Sequence, residues 1–181
     1  MDSSAGNAES PCPQNLSEVV MIHHISISAK NPRHVANVLA ELFQGSVMPF
    51  PPLEGAYVVM AKDKHGTMIE VYPLGSEIMP GQGLEEASFC RNAHPYHFTS
   101  VHAAISVPVS QAALETIAQR EGWRVLPCAR DGLFNLVEFW VENRVMLELL
   151  PPVMAKGYLQ AMSPANLEAL AQQLAGVAGR S

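Results

Sequence analysis

The sequence predicts an α+β fold: two tandem β-α-β-β-β modules forming one cupped mixed sheet, with a C-terminal helix. Three observations predict it. The chain has 181 residues, 48% of them hydrophobic and 15% charged, so it is long and apolar enough to bury a full core. It also repeats itself. At an offset of 78, residues 24–73 lie over 102–151 without a gap, and ten of fifty positions are identical. Unrelated stretches of this length would share roughly three. Finally, the apolar pattern of each half reads as a strand, a helix and three further strands.

The segments follow from that repeat. Residues 1–20 read as a flexible polar tail, with neither the basic start nor the apolar stretch of a secretory leader. The first module occupies 21–73 and the second 99–152. Residues 74–98, rich in Gly, Pro and polar groups, form the linker, and 153–181 form a helical end.

Within each module the first strand is apolar or alternating: 22–28 (IHHISIS) and 101–107 (VHAAISV). The first helix begins at Asn31-Pro32, a capping residue followed by a first-turn proline. It gathers Val35, Val38, Leu39, Leu42 and Phe43 on one stripe. The second begins at Ser110 with Ala113, Leu114, Ile117 and Ala118. Gly45 and Gly122 are read as left-handed caps ending the two helices. The remaining strands lie near 46–50, 56–61 and 67–72, and near 123–128, 134–140 and 145–150. Asp63-Lys64-His65-Gly66 forms a hairpin turn. A last helix starts at Ser163-Pro164 and buries Leu167, Leu170, Ala171 and Leu174 against a sheet edge or a partner.

Composition narrows the function classes. Net charge is −6 and the 11 Lys and Arg never cluster, so no nucleic-acid partner is expected. No apolar run approaches the roughly 18 residues a membrane span needs. Cys12, Cys90 and Cys128 form no close pair, which argues against disulfides or thiolate metal sites and fits the cytoplasm. The low charge content points to surface buried between subunits, hence a homodimer.

The repeat also duplicates chemistry. His24 precedes Glu70 by 46 residues, and His102 precedes Glu148 by 46. Strand alternation places His24, Ser26 and Ser28 on one face and Ile25 and Ile27 on the face toward the helix. By the same parity His102, Ala104 and Ser106 share a face with Met146 and Glu148. Two imidazoles and two carboxylates converging in a cup suit one divalent metal ion (Zn, Ni, Co, Fe or Mn), with positions left for substrate oxygens. Glu148 or Glu70 would then move the proton. His23, His34 and His65 are expected outside the cup, and one of His94 and His97 could reach its mouth. Tyr57 and Tyr72 are read mainly as packing residues, and Arg130 and Arg144 as surface residues.

These segments resemble the vicinal oxygen chelate superfamily. The carriers are HHISIS and VHAAIS, GTMIEVYP and RVMLELLPP at the strand ends, and the paired modules, together covering residues 22–152. The resemblance implies that His24, Glu70, His102 and Glu148 stand at metal-ligand positions. The quartet is most similar to that of bacterial glyoxalase I, which implies a metal-dependent lyase or isomerase acting on a small oxygenated substrate. Ser28 and Leu74 stand where that group has an Arg and an Asn, which counts against glutathione. The alternatives are an extradiol-type ring-cleaving dioxygenase, or a non-catalytic ligand-sequestering protein of the resistance type. A linker of 25 residues allows the quartet to come from one chain or from two.

Overall fold

The computed structural model describes residues 21–130 and 132–178, so the tail expected at 1–20 lies outside the described residues. The first module runs β1 (His24–Ala29), α1 (Pro32–Phe43), β2 (Ser46–Pro49), β3 (Tyr57–Met60) and β4 (Met68–Pro73). A hairpin, β5 (Ser76–Met79) and β6 (Ser88–Arg91), follows it. The second module runs β7 (Ala103–Ser106), α2 (Gln111–Glu121), β8 (Val125–Arg130), β9 (Phe134–Val141) and β10 (Val145–Leu150). Two helices, α3 (Pro152–Ala161) and α4 (Pro164–Ala178), end the described chain.

Both modules use one topology. The strand orders are β1-β4-β3-β2 and β7-β10-β9-β8, with the first strand parallel to the last and the other pairs antiparallel. Ile27, Ile69 and Val59 of the first sheet and Leu147, Leu149 and Phe139 of the second join the apolar stripes of α1 and α2 in one core cluster. The core therefore sits on the helix side of both sheets, and each helix-free face lies on the far side of its sheet. This departs from the single sheet expected. The two sheets share no strand pairing, and contacts between their helix layers join the modules instead.

Polar contacts fasten that junction. The Arg120 guanidinium reaches Glu41 at 2.8 Å and Glu121 at 2.7 Å, and His34 contacts Glu121. At the other end of α1 the Glu142 carboxylate accepts from the backbone amides of Lys30 and Asn31 at 2.7 and 2.9 Å. Beside it Arg144, read from the sequence as a surface residue, is 4% exposed and donates to the carbonyls of Ser28 and Tyr96.

Local corrections have local causes. Helix α1 is capped by Gln44, whose φ is 51°, rather than by Gly45. Gly45 is needed for space, because a Cβ there would lie 2.1 Å from the Met60 carbonyl oxygen. Gly122 does cap α2, with φ 66°. The linker contains the β5–β6 hairpin, whose four-residue strands are too short to show a clear alternation. Helix α4 starts where expected, but Leu167 is 45% exposed and Ala171 is exposed, while the side chains of Leu170 and Leu174 lie outside the described ones.

Candidate metal centre

Register, not only parity, sets the candidate residues. In the first sheet His24 lies level with Met68 and Ser26 with Glu70, in parallel pairing. In the second, Ala104 lies level with Glu148. Each glutamate thus stands beside the residue two positions after its histidine, on the helix-free face of its sheet. His24 and His102 are exposed, while Glu70 and Glu148 are partly buried.

Each carboxylate has donors, of different kinds. Glu70 Oε2 accepts from the Ser26 hydroxyl at 2.8 Å and the Tyr72 phenol at 2.5 Å. Burial first, and then the bond to the Glu70 carboxylate, holds the Tyr72 phenol above its ordinary range, so it remains a donor. Phe50 and Phe89 pack on Tyr72 with ring centroids 5.6 and 5.4 Å away, so the linker hairpin covers that side of the first face. Glu148 Oε1 is held instead by the Arg130 guanidinium, through Nη2 at 2.6 Å and Nε at 3.2 Å. The same Nη2 donates to Glu138 at 3.0 Å, and Trp140 Nε1 donates to the other Glu138 oxygen at 3.3 Å.

The two faces differ in one further way. Val58 stands directly opposite Glu70, whereas Glu138 stands directly opposite Glu148. The sequence reading missed Glu138, although the parity argument applied to FNLVEFWV finds a lone acid on the face of Glu148. Helix α3 packs against β9 and β10, with Tyr158 edge-on to Phe134 at 4.9 Å, so it covers part of the second face.

An open cleft of roughly 860 Å³ runs between the modules, lined by His24, Ile25, Met68, His102, Ala104 and Tyr158 among others. It brings the two histidines to one cavity, but Glu70 and Glu148 do not line it. His23 and His65 line it too, joined where a ring nitrogen of His23 meets the His65 carbonyl at 2.6 Å. Asp63 holds their turn. The Thr67 hydroxyl first, then the Thr67 and His65 amides, bring its carboxyl down to about 2. His94 and His97 are exposed and do not line the cleft.

The donor types fit a divalent ion: imidazole nitrogens and carboxylate oxygens, the latter oriented by their own hydrogen bonds. His24 with Glu70, and His102 with Glu148, are the residues that would hold it. Among the described residues of one chain, however, no three such groups stand close enough together to bind an ion. Each module supplies one of the two histidines and one of the two glutamates.

The paired β-α-β-β-β architecture is the one the vicinal oxygen chelate resemblance implies. The fold is of that type. No family model matches the sequence, and no curated protein matches it either. Solved structures do resemble the chain. One is the fosfomycin resistance protein FosX from Mesorhizobium loti, 12% identical over 72% of this chain and 89% of that one, TM-score 0.41. Another is a possible glyoxalase from Bacillus cereus, 13% identical over 72% and 98%, TM-score 0.41. A third is an integron cassette protein from the Halifax Harbour sewage outfall metagenome, 10% identical over 72% and 97%, TM-score 0.46. At such low identity none of them carries an activity or a ligand over to this chain.

No helix among the described residues is long and apolar enough to cross a membrane.

Proposed function

We propose that the protein is a metal-dependent, glyoxalase-like lyase or isomerase of small oxygenated substrates, working in the cytoplasm as a homodimer. The observation that carries this reading is the register. Each sheet offers an exposed imidazole and a donor-held carboxylate at equivalent positions of a helix-free face. Nothing in core packing calls for such a pair twice. Because no three of these groups stand together within the described residues of one chain, His24 and Glu70 of one copy face His102 and Glu148 of a second.

The ion, when bound, supplies Lewis-acid stabilisation of negative charge developing on substrate oxygens. The chain's residues do the rest. Glu70 is the proton acceptor: its Oε2 is fixed by two hydroxyls, while Oε1 has no hydrogen-bond partner among the described residues. Tyr72 and Ser26 hold that carboxylate in one rotamer and can return a proton through their hydroxyls. Glu148 is held through Oε1 by Nη2 and Nε of the Arg130 guanidinium.

Elemental analysis of untagged protein after reconstitution with Ni²⁺, Zn²⁺ or Mn²⁺ tests the reading. Bound metal should approach stoichiometric and fall sharply in His24→Ala and in His102→Ala. Less than about a tenth of an equivalent in the parent protein overturns it.

A further inference from the structure

Arg144 is the one charged side chain that the fold buries among the described residues, at 4% exposure. No carboxylate among those residues forms an ion pair with it. Glu142, two positions earlier, commits one oxygen to the Lys30 amide and the other to the Asn31 amide. A guanidinium carries five N–H donors. Here Nη1 donates to the Ser28 carbonyl at 3.4 Å and Nη2 to the Tyr96 carbonyl at 3.2 Å, both long. The buried Nε has no hydrogen-bond partner among the described residues. Carbonyls supply only partial charge, and a buried cation without an opposite full charge is costly.

The guanidinium stands where three segments meet. Ser28 brings the end of β1, Tyr96 brings the chain between β6 and β7, and Arg144 itself follows the β9–β10 turn. Residues 92–102 form neither helix nor strand. Tyr96 and Phe98 in that stretch are 88% and 63% exposed, so it lends Arg144 a backbone carbonyl while its rings stand in solvent. A hollow of roughly 280 Å³ opens at the same turn, lined by Phe98, Arg124, Trp140 and Asn143. Its wall holds no acid, and its one charge is a second guanidinium.

We propose that Arg144 is the buried cation of an anion-binding site at the junction of the modules, taking a small oxyanion, either inorganic phosphate or a carboxylate. Two oxygens of such a group match the guanidinium edge that includes Nε, and its charge neutralises the cation. The hollow beside Asn143 is the way in, and its charge favours an anion over a cation. Once bound, the oxyanion ties β1, the linker and β10 together more firmly than two long carbonyl bonds do. None of His24, Glu70, His102 and Glu148 takes part, so the site stands or falls apart from the metal reading.

Melting of untagged protein in increasing sodium phosphate, at fixed pH and with sodium chloride holding ionic strength constant, tests the proposal. The parent Tm should climb by about 3 °C or more and then level off, as a saturable site requires. Arg144→Met is similar in length and uncharged, and should keep less than about a third of that rise. Arg144→Lys keeps a cation but loses the Nε edge, and should keep about half or less; it carries the test if the methionine variant does not fold. Arg124→Gln should keep the whole rise. Sodium acetate in place of phosphate separates the two ligands: a saturating rise with acetate assigns a carboxylate, and a rise with phosphate alone assigns phosphate. The proposal is overturned by a parent that shows no saturating rise with either anion. An equal rise in the Arg144 variants overturns it too, as does a rise lost in Arg124→Gln alone.

Discussion

Tyr72 shows how much a single side chain can decide. Its identity was legible in the sequence, but its task was not, because parity names a face and says nothing of which hydroxyl meets which carboxylate. Replacing it with Phe keeps the packing on Phe50 and Phe89 and removes one donor to Glu70. The expected stability loss is about 1–2 kcal/mol in urea unfolding, since the bond has a charged acceptor. Turnover should fall more than substrate affinity if Glu70 is the proton acceptor, so steady-state kinetics separate the two. Gly45 teaches the same lesson from the backbone. The sequence marks a glycine after a helix, and a left-handed cap is the ordinary inference. Its actual constraint is the Met60 carbonyl, a contact across space that no local pattern encodes. Gly45→Ala should therefore destabilise by about 1–3 kcal/mol even though Gln44 carries the positive φ.

Elements were the most legible layer. The stripe of α1 and the alternation of β1 come from periodicity alone, and Val35, Leu39 and Leu42 are fully buried as that stripe demands. The β5–β6 hairpin escaped because it needs no strong local pattern, and α3, inside the expected helical end, was not separated from the last helix. Phe89 and Tyr158 each reach back to a module and hold these short elements in place. Between α1 and α2 the decisive contacts are polar. Burial works to raise the Glu121 carboxyl, but the Arg120 and His34 hydrogen bonds and charges outweigh it and hold it below its ordinary value of 4.5. The unfolded chain thus takes up the proton first as pH falls. This contribution to stability is complete above about pH 4.5 and is lost as pH drops through the lower folded value. Glu121→Gln should flatten that part of the acid limb in urea midpoints measured from pH 6 to pH 3.

At the scale of the whole molecule, duplication was visible in ten identities, whereas the arrangement of the halves was not. Which faces meet depends on Arg120, Glu142 and Arg144 reaching the other module, and contacts of that range leave no periodicity to read. If the two His-Glu pairs meet across a dimer, two inactive variants should rescue each other. A chain carrying His24→Ala and Glu70→Gln, mixed under subunit exchange with one carrying His102→Ala and Glu148→Gln, should regain one intact metal centre per mixed dimer. Metal content after mixing reads this directly. Sites built within single chains would regain none.

The guanidinium that faces Glu148, against the hydroxyls that face Glu70, gives the tandem scaffold a head and a tail. A perfectly mirrored receptacle would accept a molecule either way round and deliver both stereochemical outcomes. With unequal ends, a guest is oriented on arrival, so a single enantiomer should dominate the product mixture.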